Sequence, residues 1–366
     1  MNEVKTKCAS SRRGRPKGAW NSMDWDKLQA VVRKLQARIV KAQKEKRYNK
    51  VKALQRILTT SFAAKALAVK RVTSNKGKRT AGVDNIKWTT QAQKLEAVAS
   101  LKRRGYKPLP LKRVYIAKSN GKKRPLGIPT MKDRAMQALY LMALEPVTET
   151  TADPNSYGFR RYRSTADAID ALHIMFSHQP NPPQWVLEGD IKGCFDNISH
   201  EWLVDNVQID KQILKKWLKC GAVFNKLLSP TTAGTPQGGI ISPTLANATL
   251  DGMEKMLLKK YRERYVNGKR YRPKVHLVRY ADDFVVSADT RKLLEQVKED
   301  LKHFLAIRGL ELSEEKTLIT HITEGFDFLG YNIRRYKRNI LVKPAKKSVK
   351  RFVEKTHEVI FRNKRT

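Results

Sequence analysis

Two short apolar runs in this chain each end on carboxylates, and no other feature limits its fold and chemistry as much. The first is Val186-Leu187-Glu188-Gly189-Asp190, followed by Ile191-Lys192-Gly193-Cys194-Phe195-Asp196. The second is Leu277-Val278-Arg279-Tyr280-Ala281-Asp282-Asp283-Phe284-Val285-Val286. Runs of this length and type predict strands, and a tight turn at Ala281–Asp283 predicts a hairpin. Adjacent carboxylates repel each other, and apolar neighbours make their desolvation worse. A lone Asp-Asp is a common turn. Two such sites, each closing an apolar run, call for a divalent cation that relieves both penalties. Asp190 and Asp282, at the ends of neighbouring strands, are placed to share two ions. Two ions roughly 3.5–4 Å apart clamp the attacking and leaving oxygens of an in-line phosphoryl displacement. Hard oxygen ligands favour Mg²⁺ over zinc.

The charge balance fits such chemistry. Lys and Arg number 75 against 34 Asp and Glu, a net +41 over 366 residues, of which 40% are hydrophobic. That apolar fraction fills a core and excludes wholesale disorder, and the length suits two or three packed domains. A surplus of this size requires a polyanion nearby, and nucleic acid is the commonest; a polybasic membrane-surface protein is the alternative. No apolar run approaches the roughly 18 residues of a spanning helix, so no membrane partner is expected. Met1 to Lys17 is basic with no apolar stretch behind it, so no signal peptide is expected. Cys8, Cys194 and Cys220 form neither a disulfide framework nor a zinc pattern, which suits a reducing, cytoplasmic setting, nucleoid association included.

Along the chain, residues 1–20 read as a mobile basic tail. Trp25, Leu28, Val32, Leu35 and Ile39 recur at helical spacing, and Val51, Leu54, Ile57 and Leu58 resume the period after a break near Tyr48–Asn49. The basic faces of this pair are either solvated or turned to RNA. Residues 73–85 read as a loop. The run Val114–Ala117, then Asn120-Gly121, then Arg124–Ile128 is a hairpin signal. Thr130 caps a helix predicted to stop before Pro146. A further helix spans about Thr165 to Phe176, and Pro180, Pro182 and Pro183 mark a boundary. Ser242 and Pro243 read as the N-cap and first residue of a helix through Met253. Val349, Phe352, Val353, Val359 and Ile360 mark a last amphipathic helix. Strands and helices alternate without a regular period, so the fold class is α+β.

The blocks resemble those of a known family. Tyr280-Ala281-Asp282-Asp283 is similar to the catalytic turn of reverse transcriptases, and Asp190 to Asp196 to their first catalytic block. Gly234-Thr235-Pro236-Gln237-Gly238-Gly239-Ile240-Ile241-Ser242-Pro243 resembles the block between them. Arg124-Pro-Leu-Gly-Ile-Pro-Thr130, Ser156-Tyr-Gly-Phe159-Arg160 and Phe326-Asp-Phe-Leu-Gly330-Tyr331 match in order. The wording is closest to reverse transcriptases of bacterial group II introns, from about Trp20 onward. The resemblance implies a right-hand polymerase that copies RNA into DNA. It divides the chain into an N-terminal helical extension (21–75), fingers (76–180), a palm (181–342) and the start of a thumb (343–366).

The resemblance assigns roles. Asp190, Asp282 and Asp283 fall on the family's three acidic positions; Asp190 and Asp282 are expected to bind metal directly, with Asp283 assisting and the Ile191 carbonyl as a further ligand. Asp196 is expected to be a first-turn helix acid. Lys118 and Arg124 flank the Asn120-Gly121 turn and match the family's triphosphate-gripping pair. Gln237 falls beside the incoming nucleotide and template base. Phe195 matches a bulky residue under the nucleotide sugar; the alternative is core packing. Lys316 matches a lysine near the triphosphate and is either a proton donor to pyrophosphate or a solvated lysine. Arg160, Arg161 and Arg163 either meet template phosphates or form a solvated face. Phe326 to Asn332, with Gly330, resembles the hairpin that holds the primer end, unless its aromatics are core. Two Mg²⁺ ions are the implied cofactors, with Mn²⁺ as substitute. RNA template (intron RNA in particular), primer DNA and dNTPs are the implied partners. Family members usually continue through a full helical thumb, so a truncated thumb is expected here. That leaves a polymerase, an RNA-binding maturase-type splicing helper, or an inactive fragment.

Overall fold

The computed structural model describes residues 20–363 apart from 118–120, 122, 178–180, 226 and 236–237; the expected roles of Lys118 and Gln237 therefore lie outside the described residues. Three helices open the chain, α1 (Trp25–Lys44), α2 (Tyr48–Thr60) and α3 (Phe62–Ser74), and α4 (Gln91–Ser100) follows. Asp24 and Ser61 cap α1 and α3, and Thr90 with Gln93 forms a capping box on α4. The stripe Val32, Leu35 and Ile39 is buried, while Arg33, Lys34, Arg38 and Lys41 stay exposed. Trp20 is 6% exposed and packs edge-on against Trp25, so the last residue of the expected tail is packed; the rest of that tail lies outside the described residues. Helix α3 carries two residues into the expected 73–85 loop.

Strands β1 (Leu111–Ala117) and β2 (Lys123–Ile128) form the expected hairpin and lead to α5 (Met131–Thr151). Here the structure corrects the sequence reading, because α5 runs through Pro146 for five more residues. Proline removes the N–H that would serve the Met142 carbonyl four residues back. The Gln36 side-chain amide donates to that carbonyl at 2.8 Å, and Gln55 donates to Ala143 at 3.1 Å. Helix α1 thus satisfies the acceptor that proline orphans, α2 adds a bond to the next carbonyl, and α5 becomes the buried axis on which the N-terminal helices pack.

After α6 (Thr165–Ser177) comes β3 (Trp185–Asp190), then α7 (Cys194–Asn197), α8 (His200–Asn206), α9 (Lys211–Leu218) and the short β4 (Ala222–Phe224) and β5 (Leu227–Ser229). Helices α10 (Ser242–Leu250) and α11 (Met253–Lys260) are separate, broken at Asp251-Gly252, where Gly252 has φ +94°. A single helix through Met253 is therefore not formed, and Ser242 is not its N-cap; Ile241 takes that place and Pro243 lies in the first turn. A small hairpin, β6 (Arg264–Val266) and β7 (Lys269–Tyr271), precedes β8 (His276–Tyr280) and β9 (Asp283–Ala288). Helix α12 (Arg291–Ala306), β10 (Leu318–His321), the meander β11 (Phe326–Phe328), β12 (Tyr331–Tyr336) and β13 (Asn339–Pro344), and α13 (Lys346–Asn363) complete the described chain.

The central sheet has the order β10-β3-β9-β8, antiparallel throughout. Both its faces are covered. Leu187, Leu277, Phe284 and Val286 face one core with α12, whereas Val186, Val278 and Val285 face a second core with α6 and the β11–β13 meander. Burial on both faces is why these strands read as continuous apolar runs rather than alternating ones. The sheet is the rigid plate that presents the carboxylates at its end.

Candidate active site

Sheet register brings the two acidic blocks together. Asp190, the last residue of β3, pairs directly with Asp283, the first of β9, and Tyr280 pairs with Asp283 to close a two-residue turn, Ala281-Asp282. The turn is one residue shorter than the expected Ala281–Asp283. Three carboxylates thereby sit at one end of a plate whose interior is apolar. Burial, then repulsion from Asp282 and Asp190, and then a hydrogen bond to Asp190 push the Asp283 carboxyl up to about 6. Burial raises Asp282 as well, and the Asp190 charge adds to the shift. Opposing cations surround the cluster. Lys316 Nζ lies 2.8 Å from Asp190 Oδ2, and that bond holds the ammonium above the ordinary lysine range. The charge of Arg124 on β2 acts to lower Asp282.

The residues around Asp190 are fixed by backbone. Asp190 accepts from Ser313 N–H at 2.8 Å, and Lys192 N–H donates to Glu311 at 2.9 Å. These bonds frame a bridge between Ile191 and Leu312, and its ladder uses the neighbours' groups rather than the Ile191 carbonyl. Phe195 lies half-buried in α7, edge-on to Phe159 at 6.0 Å, and its carbonyl accepts from Thr235 N–H at 2.6 Å. Asp196 is in the first turn of α7, as its position implied. The glycine-rich stretch is pinned on its other side by Gln137, whose Oε1 accepts from Ile240 N–H at 2.8 Å.

Among the described residues no group of three or more His, Cys, Asp or Glu is set to hold a metal ion by itself. Magnesium is usually bound by one or two carboxylates completed by water and substrate phosphates, not by an all-protein cage. Asp190, Asp282 and Asp283 suit that arrangement, being hard donors whose mutual repulsion a cation would relieve. Cys194, buried beside them, has its thiol pushed up to about 12 by burial.

The model of the family described as reverse transcriptase (RNA-dependent DNA polymerase) matches residues 116–333, and that of the N-terminal domain of reverse transcriptase matches residues 20–101. The chain belongs to the reverse transcriptase family. It is similar to the group II intron-encoded protein LtrA of Lactococcus lactis subsp. cremoris, 34% identical over 80% of this chain and 58% of LtrA. Protein YkfC of Escherichia coli (strain K12) is 35% identical over 77% of this chain and 84% of YkfC. The chain thus spans somewhat more than half the length of LtrA. A solved telomerase from Candida albicans, in complex with a fragment of telomeric RNA, aligns with a TM-score of 0.47 at 15% identity, over 64% of this chain and 46% of the telomerase. Reverse transcriptases of this family use divalent metal ions, and the α+β palm-and-fingers fold is the family's own.

In this member of the family the structure gathers Asp190, Asp282, Asp283, Lys316 and the charge of Arg124 at one place. It treats the other expected residues differently. Arg160 is turned inward: Nη2 meets Glu149 Oε2 at 2.8 Å, Nη1 donates to the Asp153 and Ser156 carbonyls, and the side chain is 10% exposed. Arg161 pairs with Glu145, and Arg163 lies over the Tyr157 ring at 5.4 Å. Gly330 (φ +88°) follows Leu329 (φ +50°) in the β11–β12 turn, a pair of positive φ values that favours glycine. Its carbonyl accepts from Ala345 N–H at 2.9 Å, tying the turn to the start of α13. Phe326 and Phe328 are core, whereas Tyr331 is 39% exposed. Among the described residues no helix is long and apolar enough to cross a membrane.

Sequence reasoning missed the support beneath the Ala281-Asp282 turn. Arg279, 0% exposed, pairs with Asp251 at 2.6 Å and donates to Asn247 and to the Ala281 carbonyl. The available signal was a charge in mid-strand, Leu277-Val278-Arg279-Tyr280, which a core tolerates only with a buried partner.

Proposed function

We propose that this chain is an RNA-directed DNA polymerase of a group II intron or related retroelement, extending a primer 3′-OH with dNTPs on an RNA template. The supporting observation is the meeting of Asp190 with Asp283 beside Asp282, under the Lys316 and Arg124 charges, in a chain of the reverse transcriptase family. Residues 76–180 are the fingers, 181–342 the palm and 343–366 the start of a thumb. Asp190, Asp282 and the Ile191 carbonyl, with Asp283 assisting, would hold two Mg²⁺ ions, with Mn²⁺ as substitute; bound there they supply charge neutralisation for an in-line displacement.

The chain's own groups do the rest. Lys316, held protonated by Asp190, is placed to give a proton to departing pyrophosphate. Arg124, with Lys118, grips the triphosphate. Gln237 meets the nucleotide and template base, and Phe195 closes off the space a ribose hydroxyl needs. Arg163 and Gly330 serve template and primer. Arg160 serves the template indirectly, by fixing the 153–160 segment. Intron RNA is the natural template, and the cytoplasm, where transcripts lie, is the working compartment.

A second reading, a splicing helper that binds intron RNA, is favoured by the row of exposed cations on α1 and α2: Arg33, Lys34, Arg38, Lys41, Lys50, Lys52 and Arg56. The two activities are compatible. Primer extension on poly(rA)/oligo(dT) with Mg²⁺ tests the first. EDTA should stop extension, and Asp282→Asn should abolish it while leaving RNA affinity unchanged. Extension that survives in Asp282→Asn overturns the assignment; RNA binding without extension in the wild type leaves the splicing-helper reading.

A further inference from the structure

We infer that Arg279 is a positioning residue that sets where the Asp282 carboxylate stands, an inference that rests on the polymerase reading. The turn it serves is strained. Ala281 has φ +57°, a region that residues other than glycine avoid, and such a conformation persists only where its surroundings over-determine it. Two neighbours do so. Arg279 Nη1 donates to the Ala281 carbonyl at 3.3 Å. Gly158 lies so close to the turn that a Cβ there would sit 2.3 Å from Ala281 N, so the 158 backbone walls the turn in. Arg279 itself cannot drift. Its Nη2 is bound to Asp251 at 2.6 Å, its Nη1 also reaches Asn247 Oδ1 at 3.1 Å, and its backbone is sewn to Asn155 and Tyr157 by bonds of 2.9 and 2.8 Å.

The network links three elements that sequence keeps apart. Asn247, on α10, donates to the Gly158 carbonyl at 2.7 Å, so one side chain touches both walls of the turn. Asp153 accepts from Gly252 and Glu254 N–H at the α10–α11 break, and Glu254 binds Asn155. The break after Leu250 is what delivers Asp251 to Arg279. A buried charge pair is a poor way to gain stability compared with apolar packing. What it provides here is a donor of fixed direction aimed at the carbonyl that immediately precedes Asp282. A carboxylate displaced by about 1 Å at a reacting centre is worth about a hundredfold in rate.

The test uses Arg279→Lys and the double replacement Arg279→Met/Asp251→Leu in the full chain. Lysine keeps the charge opposite Asp251, but a single Nζ cannot also hold Asn247 and Ala281. The double variant replaces the pair by apolar side chains. Both should melt close to wild type while kcat for dNTP addition falls by about a hundredfold, with dNTP KM and primer–template affinity unchanged. Hydrogen exchange should rise in the 277–287 segment and not in α5. Wild-type kcat in either well-folded variant, or activity lost only in proportion to melting temperature, overturns the inference. If the wild type itself extends no primer, the polymerase reading fails instead, and hydrogen exchange still decides: unchanged protection of 277–287 in Arg279→Lys refutes the positioning role.

Discussion

At the scale of single residues, the reading hinges on side chains whose environment differs from that of their neighbours. Phe195 is half-buried, its ring in a T-shaped contact with Phe159 and its backbone fastened to the glycine-rich loop. The proposed role sets this ring where a ribose 2′-hydroxyl would lie, so Phe195→Val should keep dATP incorporation and strongly raise ATP incorporation. Single-nucleotide extension with each substrate measures this, and an unchanged dATP-to-ATP ratio would show a packing role only, since lost packing depresses both alike. Two histidines make a second residue-level prediction. Burial lowers His276, and burial likewise lowers His200 although its ring bonds the Gly234 carbonyl at 2.8 Å. The folded-state values lie below the unfolded one, so the unfolded chain takes protons first. Their contribution is full above about pH 6.5 and is lost as pH falls through the lowered folded values. His276→Gln should therefore show a smaller drop in melting temperature than wild type between about pH 7.5 and about pH 5.5. An equal drop would place the acid sensitivity elsewhere.

At the scale of elements, α5 shows how a helix survives an internal proline. The Met142 carbonyl accepts from Gln36 across 106 positions of sequence. Gln36→Leu leaves that partly buried acceptor unpaired and should cost about 1–3 kcal/mol. Pro146→Ala restores the backbone donor, so the double variant should recover most of the loss. Urea unfolding of the two single variants and the double checks this, and additive losses would refute the substitution of one donor for the other. The break between α10 and α11 follows the same logic in reverse. Asp251 and Gly252 are both poor helix formers, Gly252 takes a positive φ, and Asp153 caps the new start through Gly252 and Glu254.

At the scale of the whole molecule, the dominant fact is the net charge of +41. Few acids offset it on the exposed faces of α1 and α2, so RNA binding should be tight, tolerant of sequence and steeply dependent on salt. Log K should fall against log salt by about 0.7 per phosphate neutralised on a single strand. Filter binding across a salt series measures the slope; a flat series would contradict a nucleic-acid partner. Replacing Arg33, Lys34 and Arg38 by Gln should lower the slope by about two to three phosphates' worth if this face meets RNA.

The order of residues was enough to show where the carboxylates close apolar runs and which family blocks the chain carries. Apolar runs that end on Asp190 and Asp282-Asp283 are local patterns, and so are the Asn120-Gly121 hairpin, the Thr130 cap and the order of the blocks; each can be read because strand period, turn residues and caps act over a few positions. Tertiary structure alone decided which acids meet, since register sets Asp190 opposite Asp283 and leaves Asp282 in the turn. It also decided that Lys316 lies on Asp190, that Arg160 turns inward, that Ser242 is not a cap, and that Arg279 stands beneath the turn. The buried outcomes share one cause. A buried charge or an orphaned carbonyl must find a partner, and in a folded chain that partner lies wherever packing brings it: 28 residues away for Arg279 and Asp251, and 106 for Gln36 and the Met142 carbonyl. No pattern within a few residues carries that distance.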